Sequence, residues 1–327
     1  MTGATGIRAL CALVACLGTV VAEARDLVLA EVHPSGHILV QTEERMGSHL
    51  AELSKGELQL QLKNNGALCN ESQCWEMIKA GKLDIARINF AELSKDLPAV
   101  KLMSLPYLFR SREHMWRVLG GEFGKRLASE AEQHGAVLLT YYDSGTRSFY
   151  TTKKPIRNLA DFSGLRVRIQ NSPVYKDLIT QLGATPVVLP YDKVADAFKS
   201  GEIDAAENNA PSYVSSGHYK IAKYYSLDEH SAVPEVLVIS TKTWATLSPA
   251  QQKALQAAAT DSSEYMRKLW ADSEVQSLAK AKKEGSVIID KSQIAMSGIE
   301  GFAVKLYSKY MTDSADMETV LAILRTK

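Results

Sequence analysis

The sequence predicts an α/β protein made of two domains with one architecture. Residues 27–89 alternate strand-like and helix-like runs in the order β-α-β-α-β, which argues for helices packed on a parallel sheet. Residues 148–209 show the same order again. The length, 327 residues, is enough for two domains with real cores.

In chain order, Leu27 to Ala30 is an apolar run of strand length closed by His33-Pro34-Ser35-Gly36. Ile38, Leu39, Met46, Leu50 and Leu53 recur at helical spacing. Leu58 to Leu62 alternates cleanly as a strand, Ser72 to Ala80 is helical with Gly81 as its C-cap, and Leu83 to Ile88 is a strand ending at Asn89. Leu105 to Phe109 is an apolar block. Met115 to Leu127 is a helix pattern broken by Gly120-Gly121, and Ala136 to Tyr142 is a strand turned by Asp143-Ser144-Gly145 just before Arg147. In the second run, Ser148 to Thr152, Gly164 to Asn171, Val187 to Leu189 and Ile203 to Ala206 read as strands. Tyr175 to Leu182 and Lys193 to Lys199 read as helices. Ala222 to Leu227 and Val236 to Ser240 are strand-like. Ser248-Pro249 then supplies an N-cap and a first-turn proline for one long helix or two abutting ones, uninterrupted before Gly285. Val287 to Ile289 is a strand and the tail is helical.

The composition is that of an ordinary globular protein, 46% hydrophobic and 23% charged. With a net charge of +1 and no basic run, nothing suggests nucleic acid or an anionic membrane as partner. The first two dozen residues differ: Arg8 precedes an apolar stretch, Ala9 to Val21, and Ala22-Glu23-Ala24 has the form of a cleavage site. Residues 1–24 therefore read as a secretory signal peptide cut before Arg25. Leu13-Val14-Ala15-Cys16 resembles a lipobox, but the apolar run continues past Cys16, which favours the ordinary cut. The mature chain keeps Cys69 and Cys74, and in an oxidising compartment two lone cysteines tend to pair. Five residues apart in a regular helix their Cα atoms would lie about 8–9 Å apart, too far for a disulfide. They can pair if Cys69 sits in the turn before the helix that carries Cys74; otherwise they are two buried thiols.

Gly164-Leu165-Arg166-Val167-Arg168-Ile169-Gln170-Asn171 reads as a strand with a polar face of Arg166, Arg168 and Gln170, running into a helix at Ser172-Pro173. A strand end that feeds a helix N-terminus is a common ligand position in α/β proteins. A guanidinium there matches a carboxylate with two parallel bonds. From these residues alone, a carboxylate grip at Arg168 and a solvated or salt-bridged arginine both remain open.

Further segments carry a resemblance. Leu83-Asp84-Ile85-Ala86, Ser104 to Phe109, Gly164 to Arg168, Gly183-Ala184-Thr185-Pro186, Gly201 to Asn208 and Ala222-Lys223-Tyr224 fall in fixed order and spacing. Together they resemble the extracytoplasmic solute-binding proteins of TRAP (tripartite ATP-independent periplasmic) transporters over essentially the whole mature chain. The resemblance implies an α/β fold of the periplasmic-binding-protein type: two lobes around a ligand cleft, joined by hinge strands and a long helix. Lobe I is expected at 25–146 plus 233–273, and lobe II at 147–232 plus 274–327. It implies that Arg168 binds a ligand carboxylate, that Arg147 lines the pocket, that Asn208 is the pocket asparagine, and that Asn89, Glu71 and His33 join them; Gln170, on the polar face beside Arg168, is a further candidate ligand contact. It also implies a periplasmic monomer that binds a small carboxylate and serves TRAP membrane permease subunits, with no cofactor, metal or nucleic acid.

Tyr142 to Tyr150, Glu207 to Tyr213, Glu229-His230 and Pro234 to Val238 are similar to a subgroup that binds hexuronates and related sugar acids. Ala210, Lys193, Ala195 and Cys69 depart from that subgroup, where Trp, Glu, Tyr and Gly are usual. A dicarboxylate or keto acid is the alternative ligand, and a receptor feeding a membrane sensor the alternative role. Two guanidiniums in one cleft, Arg147 and Arg168, are expected to repel unless an anion sits between them. Arg166 is expected to face solvent or pair with a carboxylate, Glu71 could instead cap its helix, and His230 is expected to be structural, at the hinge. No nucleotide, zinc-protease or serine-hydrolase motif is present to support catalysis.

Overall fold

The structure, a computed structural model, describes residues 24–327. The signal-peptide reading and Cys11 and Cys16 lie outside the described residues. The elements run β1 (Arg25–Ala30), α1 (Ile38–Leu53), β2 (Leu58–Lys63), α2 (Glu71–Ala80), β3 (Ile85–Asn89), α3 (Pro98–Met103), α4 (Arg112–Leu119), α5 (Glu122–Gln133) and β4 (Ala136–Tyr142). They continue as β5 (Arg147–Thr151), β6 (Arg166–Ile169), α6 (Pro173–Gln181), β7 (Thr185–Val188), α7 (Val194–Ser200), β8 (Ala205–Asn208), α8 (Ala210–Ser215) and β9 (Tyr224–Ser231). Then follow β10 (Glu235–Ser240), α9 (Thr241–Ala245), α10 (Pro249–Lys283), β11 (Val287–Ile289), α11 (Met296–Tyr310) and α12 (Ser314–Arg325).

These strands make two sheets, β2-β1-β3-β10-β4 and β11-β9-β5-β8-β6-β7. Each contains the same parallel trio in the same spatial order, β2-β1-β3 in one and β7-β6-β8 in the other. The repeat is real, but its second copy starts at β6. The strand from Ser148, read as its first member, is β5, which runs antiparallel to β8. Likewise β10 runs antiparallel to β3. Each antiparallel strand enters its sheet from a crossover, Asp143–Thr146 outward and Ala232–Pro234 on the return. No local periodicity signals an antiparallel insertion, since its partner is distant in sequence.

Local chemistry sets the element ends. Asn70 and Gln73 form a reciprocal capping box on α2, and Gly81 ends that helix in the left-handed region at φ 70°. Ser248 and Gln251 do the same for α10, with Pro249 in its first turn. The long pattern is one helix of 35 residues, about 50 Å end to end. It packs on α1 and β4 of the first lobe and on α8 and β11 of the second. The broken pattern after Met115 resolves into α4 and α5, separated by Gly120-Gly121. Helix α3 was not anticipated; its stretch is too short to display a period, and Ala99, Val100, Leu102 and Met103 are all buried.

Candidate functional site

Both parallel trios point the C-terminal ends of their strands at the space between the sheets. Beyond β1 lie Glu31 and His33, β3 ends with Arg87 and Asn89, β10 begins with Glu235, and α2 begins with Glu71. From the other sheet come Arg147 at the start of β5, Arg168 and Gln170 at the end of β6, and Asn208 at the end of β8. Tyr191 follows β7, and Ser212 sits on α8. His33, Glu71, Arg87, Asn89, Arg147, Arg168, Gln170, Tyr191, Asn208, Ser212 and Glu235, with Val32, line a narrow cavity of about 20 Å³ between the two walls. All seven residues singled out from the sequence border it. An outer cleft adjoins it, lined among others by Leu68, Ser72, Glu92, Asn171, Val188 and Lys193.

The two walls touch. Ser212 Oγ lies 3.3 Å from His37 Nε2 and 3.4 Å from His33 Nε2. The backbone N–H of Asn171 donates to Glu92 Oε1 at 3.1 Å. The rings of His33 and His37 stack at 3.9 Å. Burial, and then His33, keeps the His37 imidazole well below its ordinary pKa, so it is neutral.

Three buried arginines serve three purposes. Arg87 is spent entirely on protein. Its Nε and Nη2 bind Glu31 at 2.7 and 2.6 Å, and its Nη1 binds Glu71 at 2.5 Å and Glu235 at 2.7 Å. Burial opposes ionisation of Glu31, but Arg87 and His33 hold its carboxyl well below the usual range. The Glu235 carboxyl is raised by burial, against the pull of Arg87. Asn89 ties the same cluster, donating through its backbone N–H to Glu71 at 2.8 Å and through Nδ2 to Glu235 at 3.0 Å.

Arg147 is also paired. Its fork grips the Glu207 carboxylate, with Nη2–Oε1 at 2.8 Å, and Nη1 donates to Asn208 Oδ1 at 3.0 Å. Burial raises the Glu207 pKa, yet Arg147 and His230 bring it down to about 2. The expected repulsion between two bare guanidiniums therefore does not arise, because Glu207 neutralises one of them inside the wall. Arg166 pairs with Asp204 at 2.8 Å, as expected for a residue on the outer face.

Arg168 is different. It is 2% exposed, its Nε donates to Leu189 O at 2.9 Å, and its two terminal nitrogens have no partner among the described residues. Beside it, Gln170 Oε1 is buried and also unpartnered. A buried guanidinium without a counter-charge is costly unless an anion completes it. Glu71 does not cap its own helix; Asn70 does, and Glu71 serves Arg87 instead.

Cys69 and Cys74 form a disulfide with Cα atoms 5.4 Å apart, Cys69 lying in the turn before α2 as pairing required. Sequence reasoning missed Arg87, Glu235, Tyr191 and Ser212 as cavity groups, and Glu31 and Glu207 as the carboxylates behind them that pair with Arg87 and Arg147. Among the described residues, no cluster of His, Cys, Asp and Glu is placed to hold a metal ion.

Comparison with known proteins identifies the family and the fold. The family model for bacterial extracellular solute-binding proteins, family 7 (DctP), matches residues 29–312. A solute-binding protein of Chromohalobacter salexigens is 31% identical over 290 residues, covering 89% of this chain and 86% of that protein. The 2,3-diketo-L-gulonate-binding periplasmic protein of Escherichia coli is 31% identical over 273 residues, 82% of each chain. Among solved structures, a TRAP periplasmic solute-binding protein from Bradyrhizobium sp. BTAi1, in complex with α/β-D-galacturonate, superposes with a TM-score of 0.88. It is 40% identical, over 92% of this chain and all of that one. One from Roseobacter denitrificans with bound β-D-glucuronate gives 0.88 at 33% identity, over 93% and 100%.

Proposed function

Because the chain belongs to family 7 of the bacterial extracellular solute-binding proteins, the receptors of TRAP transporters, we propose that its buried cavity captures a hexuronate, galacturonate or glucuronate, for delivery to a membrane permease. The observation that carries this reading is Arg168, a buried guanidinium with free terminal nitrogens at the wall of a cavity otherwise lined by hydroxyl-binding groups. A ligand carboxylate would take the fork in charge-assisted bonds worth about 1.5–3 kcal/mol each. Gln170, Asn89, Asn208, Glu71, Glu235 and His33 supply donors and acceptors for ring hydroxyls, and Arg147 holds Asn208 in place. A site that bonds each hydroxyl also rejects analogues lacking one. The uronates bound by relatives of 30–40% identity support the ligand class.

The family is one of transport receptors rather than enzymes. Its curated relatives include periplasmic proteins, and the Cys69–Cys74 disulfide suits that oxidising compartment. We place the lobes at 25–146 plus 233–273 and 147–232 plus 274–327, with α12 reaching back to pack on α3. A monomer is expected. Calorimetric titration of the mature protein with galacturonate and glucuronate tests the reading. Arg168→Ala should weaken binding at least tenfold, and an unchanged affinity in that variant rejects the assignment.

A further inference from the structure

We infer that the cavity admits singly charged sugar acids and excludes doubly charged ones, because the wall facing Arg168 is built from carboxylates with no cation to spare. This rests on the hexuronate reading and narrows it. Four of the five N–H groups of Arg87 go to Glu31, Glu71 and Glu235, and the fifth points at His33 Nδ1, 3.1 Å away. Three carboxylates thus share one guanidinium, and Arg87 has no donor left for a ligand. Arg147 is cancelled by Glu207. Lys193, in the outer cleft, pairs with Asp192 at 3.1 Å, and Glu92 adds another carboxyl there.

The cavity is therefore bipolar. On the β6 side, Arg168 and the amide of Gln170 have unsatisfied hydrogen-bonding atoms. On the β3 side, Glu71 and Glu235 border the space with oxygen acceptors. Ring hydroxyls can donate to those oxygens. A second ligand carboxylate could only bring acceptor against acceptor and charge against like charge in a site shut off from water, where such opposition is severe. An aldarate differs from the matching uronate by carrying a second carboxylate in place of the C1 aldehyde. Succinate and malate also carry two carboxylates, without the sugar's full set of hydroxyls.

The test compares dissociation constants for galacturonate, galactonate, galactarate and malate, by calorimetry on the mature protein and on Glu71→Gln and the Glu71→Gln/Glu235→Gln double variant. In the unmodified protein, galactarate should bind about 100-fold or more weaker than galacturonate. In the double variant that ratio should fall at least tenfold, since each amide keeps one acceptor oxygen, gains an N–H donor and removes the charge. Galactonate, singly charged and open-chain like galactarate, separates loss of the ring from gain of charge. Should the double variant fail to fold, the single variant carries the same comparison with a smaller change. Comparable binding of galactarate and galacturonate, or an unchanged ratio in a folded variant, overturns the inference and leaves the hexuronate reading standing. Tight malate or galactarate binding without galacturonate binding overturns both.

Discussion

Arg87 on β3 and Arg168 on β6 lie on strands of the two parallel trios and are both buried, yet one has three carboxylate partners and the other none. Removing Arg87 leaves three buried carboxylates without compensation. Arg87→Met is expected to cost about 3–5 kcal/mol, seen as a melting point lowered by the order of 10 °C. Arg87→Lys should rescue little, because a point charge cannot fork among three acceptors. Arg168 was legible in the sequence because a polar face sits at a strand end that feeds a helix. Arg87 was not, since its strand reads as an apolar run and its Glu235 partner is 148 residues away.

His230 gives a second prediction at this scale. Burial disfavours its charge, but Asp228, with its Nδ1 contact of 2.9 Å, and Glu207 raise its pKa to about 9. A group whose folded pKa lies above its unfolded value of about 6.5 adds stability that is complete below that value and is lost as pH rises toward 9. The loss over that window is up to about 3 kcal/mol. On the acid side, buried neutral His218, lowered to about 3 by burial and by Arg168, withdraws stability as pH falls below about 6.5. Urea midpoints measured from pH 6 to 9.5 should decline in the unmodified protein and stay level in His230→Asn.

Among the elements, α2 concentrates the site's dependence on local order. Its first residue, Glu71, holds Arg87 and the backbone of Asn89, and its N-terminus is tied by the capping box and by the Cys69–Cys74 bridge. Closing so short a loop restricts the unfolded chain by about 2 kcal/mol. The Cys69→Ala/Cys74→Ala variant should lose about that much stability. It should also bind galacturonate several-fold more weakly, because the turn no longer fixes Glu71. Equal affinity in bridged and unbridged protein would assign the disulfide to stability alone. Helices with caps, α2 and α10, and the parallel trios were readable from turn chemistry and period. Helix α3 and the antiparallel roles of β5 and β10 were not, because they depend on long-range pairing and burial.

At the scale of the whole molecule, a cavity enclosed by both sheets demands that they part to admit ligand. The two crossovers are fastened to each other, Ser144 Oγ donating to Val233 O, and the outward one is fastened to α10. Arg112 links Asp143 at 3.1 Å to Glu274 of α10 at 2.6 Å. Gly145, at φ 59°, lies so close to α10 that a Cβ there would collide with Glu274 Oε1 and Trp270 Nε1. Ligand shifts the balance toward the closed form only by its preference for that form, and apparent affinity falls with the fraction of molecules able to close. Galacturonate at saturation should therefore reduce the radius of gyration measured by X-ray scattering. Gly145→Ala, which forces the crossover off α10 without touching the cavity, should weaken binding at least tenfold while every contact residue is retained. A radius that does not change on saturation would mean that ligand enters without the lobes moving, and a Gly145→Ala protein with unaltered affinity would place the hinge elsewhere.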